Sequence, residues 1–391
     1  MPDTFLSHQP LINRQNRILA NRLCLRLPDG ATPRDVTSTL ENLADVWPTG
    51  EKPIFINSGQ VPWDAELLEG NMPSSVTLEL PGAAFTGPDA AALISRLQAT
   101  QASLCLMVDE HFKAALSSGV TFRFIGLDAR RFTPPQLRSL AAQTQPHGIG
   151  VAFNVSDQQG FQDCLNAGLN AAASWFFTKP SDKPAKAINP AQAQIIRVLN
   201  LVRKNADVKE IEAALKQDVT LSYKLLRYIN SVGFGLSCEI QSFRHAVTIL
   251  GYEKLGKWLS LLLATASKDP MAQAQMHTAL FRARLMELLG PGLVDKSEYD
   301  NLFITGAFSM LETLLGLSMD TALEAMSLPE PINDALLGRG GVYSSFLDLA
   351  IACEGEDGEA IASQAGMLGL SADAFNQALM KALTFAETIE F

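Results

Sequence analysis

The stretch RYINSVGFGL, residues 227–236, contains a helix-to-turn junction. An apolar helical run reaches it and stops at Asn230-Ser231, whose short polar side chains can hydrogen-bond to the nearby backbone and compete with the helix. Gly233 and Gly235 then supply the backbone freedom that a tight turn needs. The junction contains no nucleophile, metal ligand or phosphate-binding loop. The pattern therefore indicates a specifically shaped junction that has no chemistry of its own.

The sequence on both sides of this junction has a helical hydrophobic period. From about residue 190 to the end, apolar residues recur every three to four positions, and glycine closes many of the runs. Short connections between these runs predict a compact all-helical bundle. The stretch TKPSDKPAKAINPAQ, residues 178–192, is rich in proline and lysine, which is typical of a linker. We therefore predict two domains, residues 1–184 and 185–391.

The first of these domains alternates strand-like and helix-like segments. The predicted strands are RLCLRL (22–27), PIFINS (53–58), VTLELP (76–81), SLCLMVD (103–109), FRFIGLD (122–128) and GIGVAFNV (148–155). Segments with helical period lie between them, and several of these start near Thr, Asp or Pro. Such alternation predicts an α/β fold with a parallel sheet, either open or closed into a barrel.

Composition limits the classes of function that remain. The chain has 391 residues, of which 47% are hydrophobic and 18% charged, so it is a globular protein with large cores and not a disordered one. Its net charge of −10 opposes non-specific binding to nucleic acid or to an anionic membrane. Basic residues outnumber acidic ones between Ile196 and Lys268, so the sequence still allows a basic surface within this segment.

Cysteine usage and the apolar segments bear on cellular location. The five cysteines are far apart, lie in apolar runs and form no CxxC pair, which predicts buried thiols in a reducing compartment. The N-terminal sequence lacks the apolar core of a signal peptide. The longest apolar stretch, WLSLLLATA, is too short to span a bilayer. We expect a cytoplasmic protein with no membrane association, no cofactor and no metal.

The stretch VTLSYKLLRYINSVGFGLSCEIQSFRHAVTILGYEKLGKWLSL, residues 219–261, resembles the HDOD domain, a helical relative of the HD phosphohydrolases. The resemblance extends over about residues 190–391. The signature positions that carry it are Arg227, Asn230, Ser231, Phe234, Gly235, Gly251 and Trp258. It implies a module that keeps the fold of a hydrolase and has lost its chemistry. The junction then either shapes a groove for a partner or is core architecture.

The first half resembles the EAL domain, which folds as a (β/α)₈ barrel and hydrolyses cyclic di-GMP. FLSHQPLINRQNRILANRLCLRL resembles its opening segment, and PIFINSG, VTLELPG, LMVDEH and FIGLD resemble strands that carry metal ligands. The positions that the resemblance assigns to the old site are Arg22, Arg26, Asn57, Glu79, Asp109, Glu110 and Asp128. The segment is short for such a barrel. We therefore expect a degenerate or truncated TIM-like EAL barrel followed by an all-α HDOD bundle.

Several positions depart from the EAL pattern in charge and chemistry. These positions are Arg22 for the glutamate of the EAL triplet, Gly126 for a lysine, Phe153 for a later glutamate and Ala173 for a glutamine. A two-metal phosphodiesterase needs converging carboxylates that hold cations and activate water. Arg22 instead places a cation where a cation would bind. We expect its guanidinium to pair with Glu79 or Asp109 in place of a metal, and Phe153 to fill the pocket.

The helical half fails the corresponding test for hydrolysis. An HD hydrolase needs a His-Asp pair and further metal ligands, but His245 and His277 are not followed by aspartate. The sequence FITGAFSMLE occupies the region where such a pair is expected. We therefore assign no catalytic residue in either half and predict that the protein is not an enzyme.

Three functions follow from the sequence as hypotheses. The leading one is a non-catalytic bacterial signalling adaptor that acts through protein–protein contacts in cyclic di-GMP-linked motility or biofilm control. The second is a sensor that binds cyclic di-GMP or another nucleotide without hydrolysis. The third, nucleic-acid binding, would use a basic face near Lys204, Lys209, Lys216, Lys224 and Arg227, and the overall acidic charge counts against it. Homodimerisation is compatible with the high apolar content, but the sequence indicates no interface.

Overall fold

The structure is a computed structural model. It describes residues 3–48, 50, 52–59, 61–63, 73, 75–100, 102–179, 188–217, 242–265 and 269–388. The signature positions Arg227, Asn230, Ser231, Phe234 and Gly235 lie outside these residues, and so does the side chain of Trp258.

The chain divides into two compact units. One contains Met1–Phe177 together with Ala352–Met380, and the other contains Thr178–Ile351 together with Lys381–Phe391. The sequence placed a single boundary after residue 184 and assigned everything beyond it to one domain. In the structure, the chain leaves the first unit close to that point, and residues 352–380 return to it.

The first unit is built on a closed barrel of eight strands in sequential order. The strands are β1 (Phe5–Asn13), β2 (Ile18–Arg26), β3 (Ile54–Asn57), β4 (Val76–Pro81), β5 (Ser103–Met107), β6 (Phe124–Asp128), β7 (Ile149–Val155) and β8 (Ala171–Ser174). Strand β1 is antiparallel to both of its neighbours, β2 and β8, and the other adjacent pairs are parallel. The predicted α/β barrel is confirmed. The expectation that barrel elements are missing is wrong for the strands, because the described strands close the barrel.

The helices of the barrel unit connect successive strands or follow them later in the chain. Those between strands are α1 (Pro33–Glu41), α2 (Ala90–Ala99), α3 (Phe112–Leu116), α4 (Pro134–Thr144) and α5 (Gln158–Asn166). Capping boxes begin two of them, with Thr32 and Asp35 at α1 and Thr133 and Gln136 at α4.

The second unit is helical throughout its described residues, as predicted for the HDOD half. Its helices are α6 (Pro190–Arg203), α7 (Val208–Lys216), α8 (Phe243–Thr265), α9 (Ala272–Leu289), α10 (Tyr299–Phe308), α11 (Leu311–Leu315), α12 (Met319–Glu324), α13 (Glu330–Leu336) and α14 (Ser344–Ala352). Two more helices follow in the chain: α15 (Gly358–Met367) belongs to the barrel unit, and α16 (Ala372–Thr388) begins in the barrel unit and ends in the second unit. Helix α8 is broken at Gly251, whose φ of 75° lies in the left-handed region that favours glycine. This break matches the glycine stop that the sequence predicts after HAVTIL. Within the described residues, we find no helix with both the length and the apolar character needed to cross a bilayer.

Part of the edge of β1 is completed by the C-terminal segment of the barrel unit. Strand β1 pairs with β8 only over its last residues, Leu11 to Asn13. Nearer its start, Leu6 donates its backbone N–H to Asn376 Oδ1 (2.9 Å), and Asn376 Nδ2 donates to the carbonyl of Thr4 (2.8 Å). The asparagine amide thus pairs with the strand as a neighbouring backbone would. These contacts explain why residues 352–380 belong to the barrel.

Candidate functional site

Alternation along the strands determines which side chains point into the barrel. Every second residue of a barrel strand faces the interior. The inward positions form a buried cluster of Leu11, Ala20, Phe55, Cys105, Phe124, Val151, Phe153, Ala171 and Ala173. Arg22 lies two residues after Ala20 on β2, and Asn57 lies two after Phe55 on β3. The polar residues of the old site therefore continue the same inward rows toward the carboxyl ends of the strands.

Arg22 and Glu79 form a buried bidentate ion pair in this interior. The Arg22 Nε donates to Glu79 Oε1 at 2.6 Å, and Nη2 donates to Oε2 at 2.7 Å. The two residues are only 5% and 3% exposed, respectively. A parallel two-bond fork is the geometry in which guanidinium and carboxylate groups bind each other most specifically. The predicted partner is therefore Glu79 and not the alternative, Asp109.

Neutral amides extend this ion pair into a chain across the barrel. The Asn57 Nδ2 donates to Glu79 Oε2 (2.8 Å), and Arg22 Nη1 donates to Asn154 Oδ1 (3.1 Å). The Asn154 Nδ2 then donates to Asp128 Oδ2 (2.9 Å). The positive charge of Arg22 is thus shared, directly or through one amide, with two carboxylates.

Burial and charge act in opposite directions on Arg22. Burial alone would lower the pKa of its guanidinium, but the neighbouring Glu79 charge and the fork of hydrogen bonds to Glu79 raise that pKa above its usual value. Burial also raises the pKa of the Cys24 and Cys105 thiols, which stay neutral in this environment. Arg22 is therefore a permanent cation inside the barrel.

Phe153 and Gly126 fill the space beside this cation. The Arg22 guanidinium carbon lies 4.2 Å from the centroid of the Phe153 ring, which is fully buried. A Cβ atom on Gly126 would lie 2.7 Å from that ring and 2.5 Å from the sulfur of Met107. No larger residue fits at position 126 without a shift. The filled pocket that the sequence predicts from Phe153 is present.

The remaining predicted positions have local structural partners. Asp109 accepts the backbone N–H groups of Ala83 and His111, both at 2.9 Å, and so holds a turn after β5. Glu110 is exposed and pairs loosely with Arg131 at 3.4 Å. Neither acid joins the Arg22 chain. The resemblance placed both acids in one site with Glu79, and the structure does not bring them into contact with it.

Arg26 lies at the end of β2 and points to other partners. Its Nε donates to Ser7 Oγ (2.8 Å), and its Nη2 lies 3.4 Å from the carbonyl oxygen of Gly355. It is therefore separate from the interior ion pair and belongs to the rim of the barrel.

Two members of the polar chain escaped prediction. Gln9 accepts a long hydrogen bond from Arg22 Nη1 (3.4 Å), and Asn154 bridges Arg22 to Asp128. Asn154 has a φ of 59° and lies where the pairing of β7 with β8 shifts register. Asparagine tolerates this left-handed conformation better than most residues. The sequence signal that could have identified Asn154 is its position directly after Phe153, near the end of a predicted strand.

The residues at this site do not fit a divalent metal. Both oxygens of Glu79 already accept hydrogen bonds from Arg22, and the guanidinium occupies the space that an ion would need. Over the part of the chain that the structure describes, His, Cys, Asp and Glu side chains form no group of three that could hold a metal ion. We therefore derive no chemical step through a metal.

Comparison with known proteins places the helical half in a family. The HDOD domain model matches residues 188–288. This chain carries an HDOD domain. The HDOD match lies in the half where the sequence predicts that domain, and the eight-stranded barrel has the fold predicted for the other half.

Two curated relatives and one solved structure are similar to this chain. The cyclic di-GMP phosphodiesterase CdgJ of Vibrio cholerae is 28% identical over 240 residues, which cover 61% of this chain and 56% of that protein. The uncharacterized protein YuxH of Bacillus subtilis is 22% identical over 371 residues, 88% of this chain and 89% of that one. The EAL domain of FimX from Pseudomonas aeruginosa, solved with cyclic di-GMP, aligns with 46% of this chain and 91% of that chain at 16% identity and a TM-score of 0.34. The chain thus spans little more than half the length of CdgJ.

The helical unit also contains a buried cation between carboxylates. Lys257 on α8 contacts Glu287 on α9, and its Nζ lies 3.4 Å from Asp300 Oδ1 on α10. The same ammonium lies 3.8 Å from the centroid of the Phe303 ring. Lysine is a point charge that can satisfy several acceptors at once. As in the barrel, a side-chain cation binds carboxylates that neighbouring elements bring together.

Proposed function

We propose that this protein is a cytoplasmic, non-catalytic adaptor in cyclic di-GMP-linked bacterial signalling, with the HDOD half as the surface for a protein partner. The observation that carries the proposal is the bidentate pair between Arg22 and Glu79. A phosphodiesterase of the EAL type would need a metal ion at this carboxylate, and the guanidinium takes its place. The filled interior around Phe153 supports the same conclusion.

The relatives support the connection with this signalling system. CdgJ is named a cyclic di-GMP phosphodiesterase, and it is 28% identical to this chain over 240 residues. Its activity belongs to a longer protein. What we carry over is the link to the dinucleotide, while the hydrolysis is replaced by a structural role for the barrel.

A second candidate, binding of cyclic di-GMP without hydrolysis, is favoured by the arginines at the barrel rim. Arg26 ends β2 and Arg130 follows β6, so both lie at the carboxyl ends of strands, where barrel proteins bind their ligands. Guanidinium groups suit phosphate by charge and by geometry.

The third candidate is nucleic-acid binding. The structure describes the side chains of Lys204 and Lys209 but not those of the other three basic residues of the proposed face. Nucleic-acid binding therefore stays a prediction.

Incubation of the purified full chain with cyclic di-GMP and Mg²⁺ or Mn²⁺ is expected to yield no linear dinucleotide by liquid chromatography. An active EAL phosphodiesterase serves as the positive control under the same conditions. Turnover that disappears in a Glu79→Gln variant would show that the barrel is catalytic and would overturn the proposal. Residual turnover that persists in that variant is independent of the site and points to a contaminating enzyme.

Isothermal titration with the same dinucleotide separates the two remaining candidates. Absence of heat at micromolar ligand, with and without metal, is expected for the adaptor. Binding that is lost in an Arg26→Ala variant would instead favour the nucleotide sensor.

A further inference from the structure

Residues 353–358, which we call the strap, lie against the rim at the carboxyl end of the barrel. The carbonyl of Cys353 accepts the backbone N–H of His8 on β1 at 2.9 Å. The carbonyl of Gly355 faces the Arg26 guanidinium at 3.4 Å, and Glu356 Oε2 accepts a hydrogen bond from Arg130 Nη1 at 2.7 Å. All of these residues belong to the barrel unit. The strap therefore contacts the free edge of β1 and two arginines on the rim.

The positions of these contacts show that the strap crosses the mouth. Arg26 is the last residue of β2, and Arg130 follows the last residue of β6 by two positions. In a closed barrel of eight sequential strands, β2 and β6 are four strands apart and lie on opposite sides. The strap backbone lies beside Arg26, and the Glu356 side chain meets Arg130 across the opening.

The strap is held closely beside Arg26 and loosely at Arg130. A Cβ atom on Gly358 would lie 2.8 Å from the Arg26 Cβ, so only glycine allows this approach. Asp357 caps helix α15 by accepting the N–H of Ala360 at 3.0 Å. By contrast, the side chains of Arg130 and Glu356 are 55% and 44% exposed. Ion pairs with this exposure are weak, so a competing anion can displace the Glu356 carboxylate.

We propose that the strap is an autoinhibitory element, in which the Glu356 carboxylate occupies the position of an external phosphate-bearing anion at Arg130. An arginine fork binds carboxylate and phosphate oxygens with the same geometry, so the strap and such an anion compete for one site. Release of the strap opens the mouth between Arg26 and Arg130. This inference concerns the rim and does not depend on whether the barrel interior is catalytic.

The test uses the full chain and inorganic pyrophosphate, measured by isothermal titration calorimetry. Glu356→Gln removes the competing charge, and Gly358→Ala pushes the strap away from Arg26 without a change of charge. The matched controls are Glu359→Gln, an exposed acid on the first turn of α15, and Gly366→Ala, where a Cβ meets nothing within 4 Å. The first control reproduces the change in net charge, and the second reproduces the change from glycine to alanine in the same helix.

We expect Glu356→Gln to bind pyrophosphate about 2- to 5-fold more tightly than Glu359→Gln, which is the factor that an exposed ion pair contributes. Gly358→Ala is expected to bind more tightly than Gly366→Ala, with faster hydrogen exchange at the His8 amide. The gain should vanish when Arg130→Ala is added to Glu356→Gln. The proposal is overturned if both variants bind like their controls, if nothing binds to any of them, or if the gain survives without Arg130. Because Glu356→Gln changes only an exposed side chain, it keeps the test valid even if Gly358→Ala fails to fold.

Discussion

Replacement of Arg22 by alanine is expected to lower the free energy of unfolding of the barrel by about 3–5 kcal/mol, the range for removal of one partner from a buried ion pair. The loss arises mainly because the Glu79 carboxylate, 3% exposed, stays in the interior without its cation. Asn154 also loses the donor that holds its side-chain oxygen. Urea unfolding followed by tryptophan fluorescence measures the change. Trp63 reports on the same site, because its indole N–H donates to the Glu79 carbonyl at 2.7 Å.

An exposed arginine provides the matched control for this experiment. Arg131→Ala removes a 3.4 Å contact to Glu110 between two exposed side chains and should cost well under about 1 kcal/mol. Addition of Glu79→Gln to Arg22→Ala removes the stranded charge and should restore part of the loss. A cost below about 1 kcal/mol for Arg22→Ala would mean that Glu79 is solvated, which contradicts the structure. Restabilisation of Arg22→Ala, but not of the unaltered chain, by Mn²⁺ would support substitution of a metal by the guanidinium.

Replacement of Asn376 by alanine should cost about 2–4 kcal/mol. The change leaves two backbone groups of β1 without partners, the N–H of Leu6 and the carbonyl of Thr4. Each unsatisfied buried group costs about 1–3 kcal/mol. Hydrogen exchange at the Leu6 amide measures the effect locally, and urea unfolding measures it for the barrel as a whole.

Two further variants decide whether the paired hydrogen bonds of Asn376 account for this loss. Asn376→Asp keeps an acceptor for Leu6 but places a buried carboxylate against the Thr4 carbonyl, so near neutral pH it should lose at least as much stability as alanine. Asn42→Ala is the control, since it removes an exposed contact from Asn42 Nδ2 to Asp373 Oδ1 (3.1 Å) on the same helix α16. Equal losses in Asn376→Ala and Asn42→Ala would contradict an edge-sealing role.

The sequence predicts the elements whose local pattern is strong. Strands β3 to β7 have apolar alternation and clear turn signals, and their predicted ranges overlap the observed ones. Strand β8 was not predicted from its own pattern, because AAAS has little β-branched or aromatic character, and only the resemblance of AASWFFTKP to the last strands of the EAL domain pointed to it. Strand β1 was also missed, since polar residues and Pro10 interrupt its pattern.

In the candidate site, the contacts of single side chains were harder to predict than the strands. The charge of Arg22 was enough to predict a carboxylate partner inside the barrel, but not to choose between Glu79 and Asp109. That choice depends on which side chain faces the interior and on the turn that holds Asp109. The return of residues 352–380 was beyond prediction, because the bond between Leu6 and Asn376 joins positions 370 residues apart. Helical period along α16 carries no information about which surface it will cover.

The sealed edge of β1 also has a consequence for biosynthesis. The ribosome completes the eight strands, the last of which ends at Ser174, and then translates about 200 further residues before it reaches Asn376. At about 5–20 residues per second, the first strand waits roughly 10–40 seconds with backbone groups exposed at its edge. An unpaired strand edge is a template for pairing with other chains. The nascent barrel is therefore most prone to misassembly on the ribosome, and slow translation through the helical half would prolong its need for chaperones.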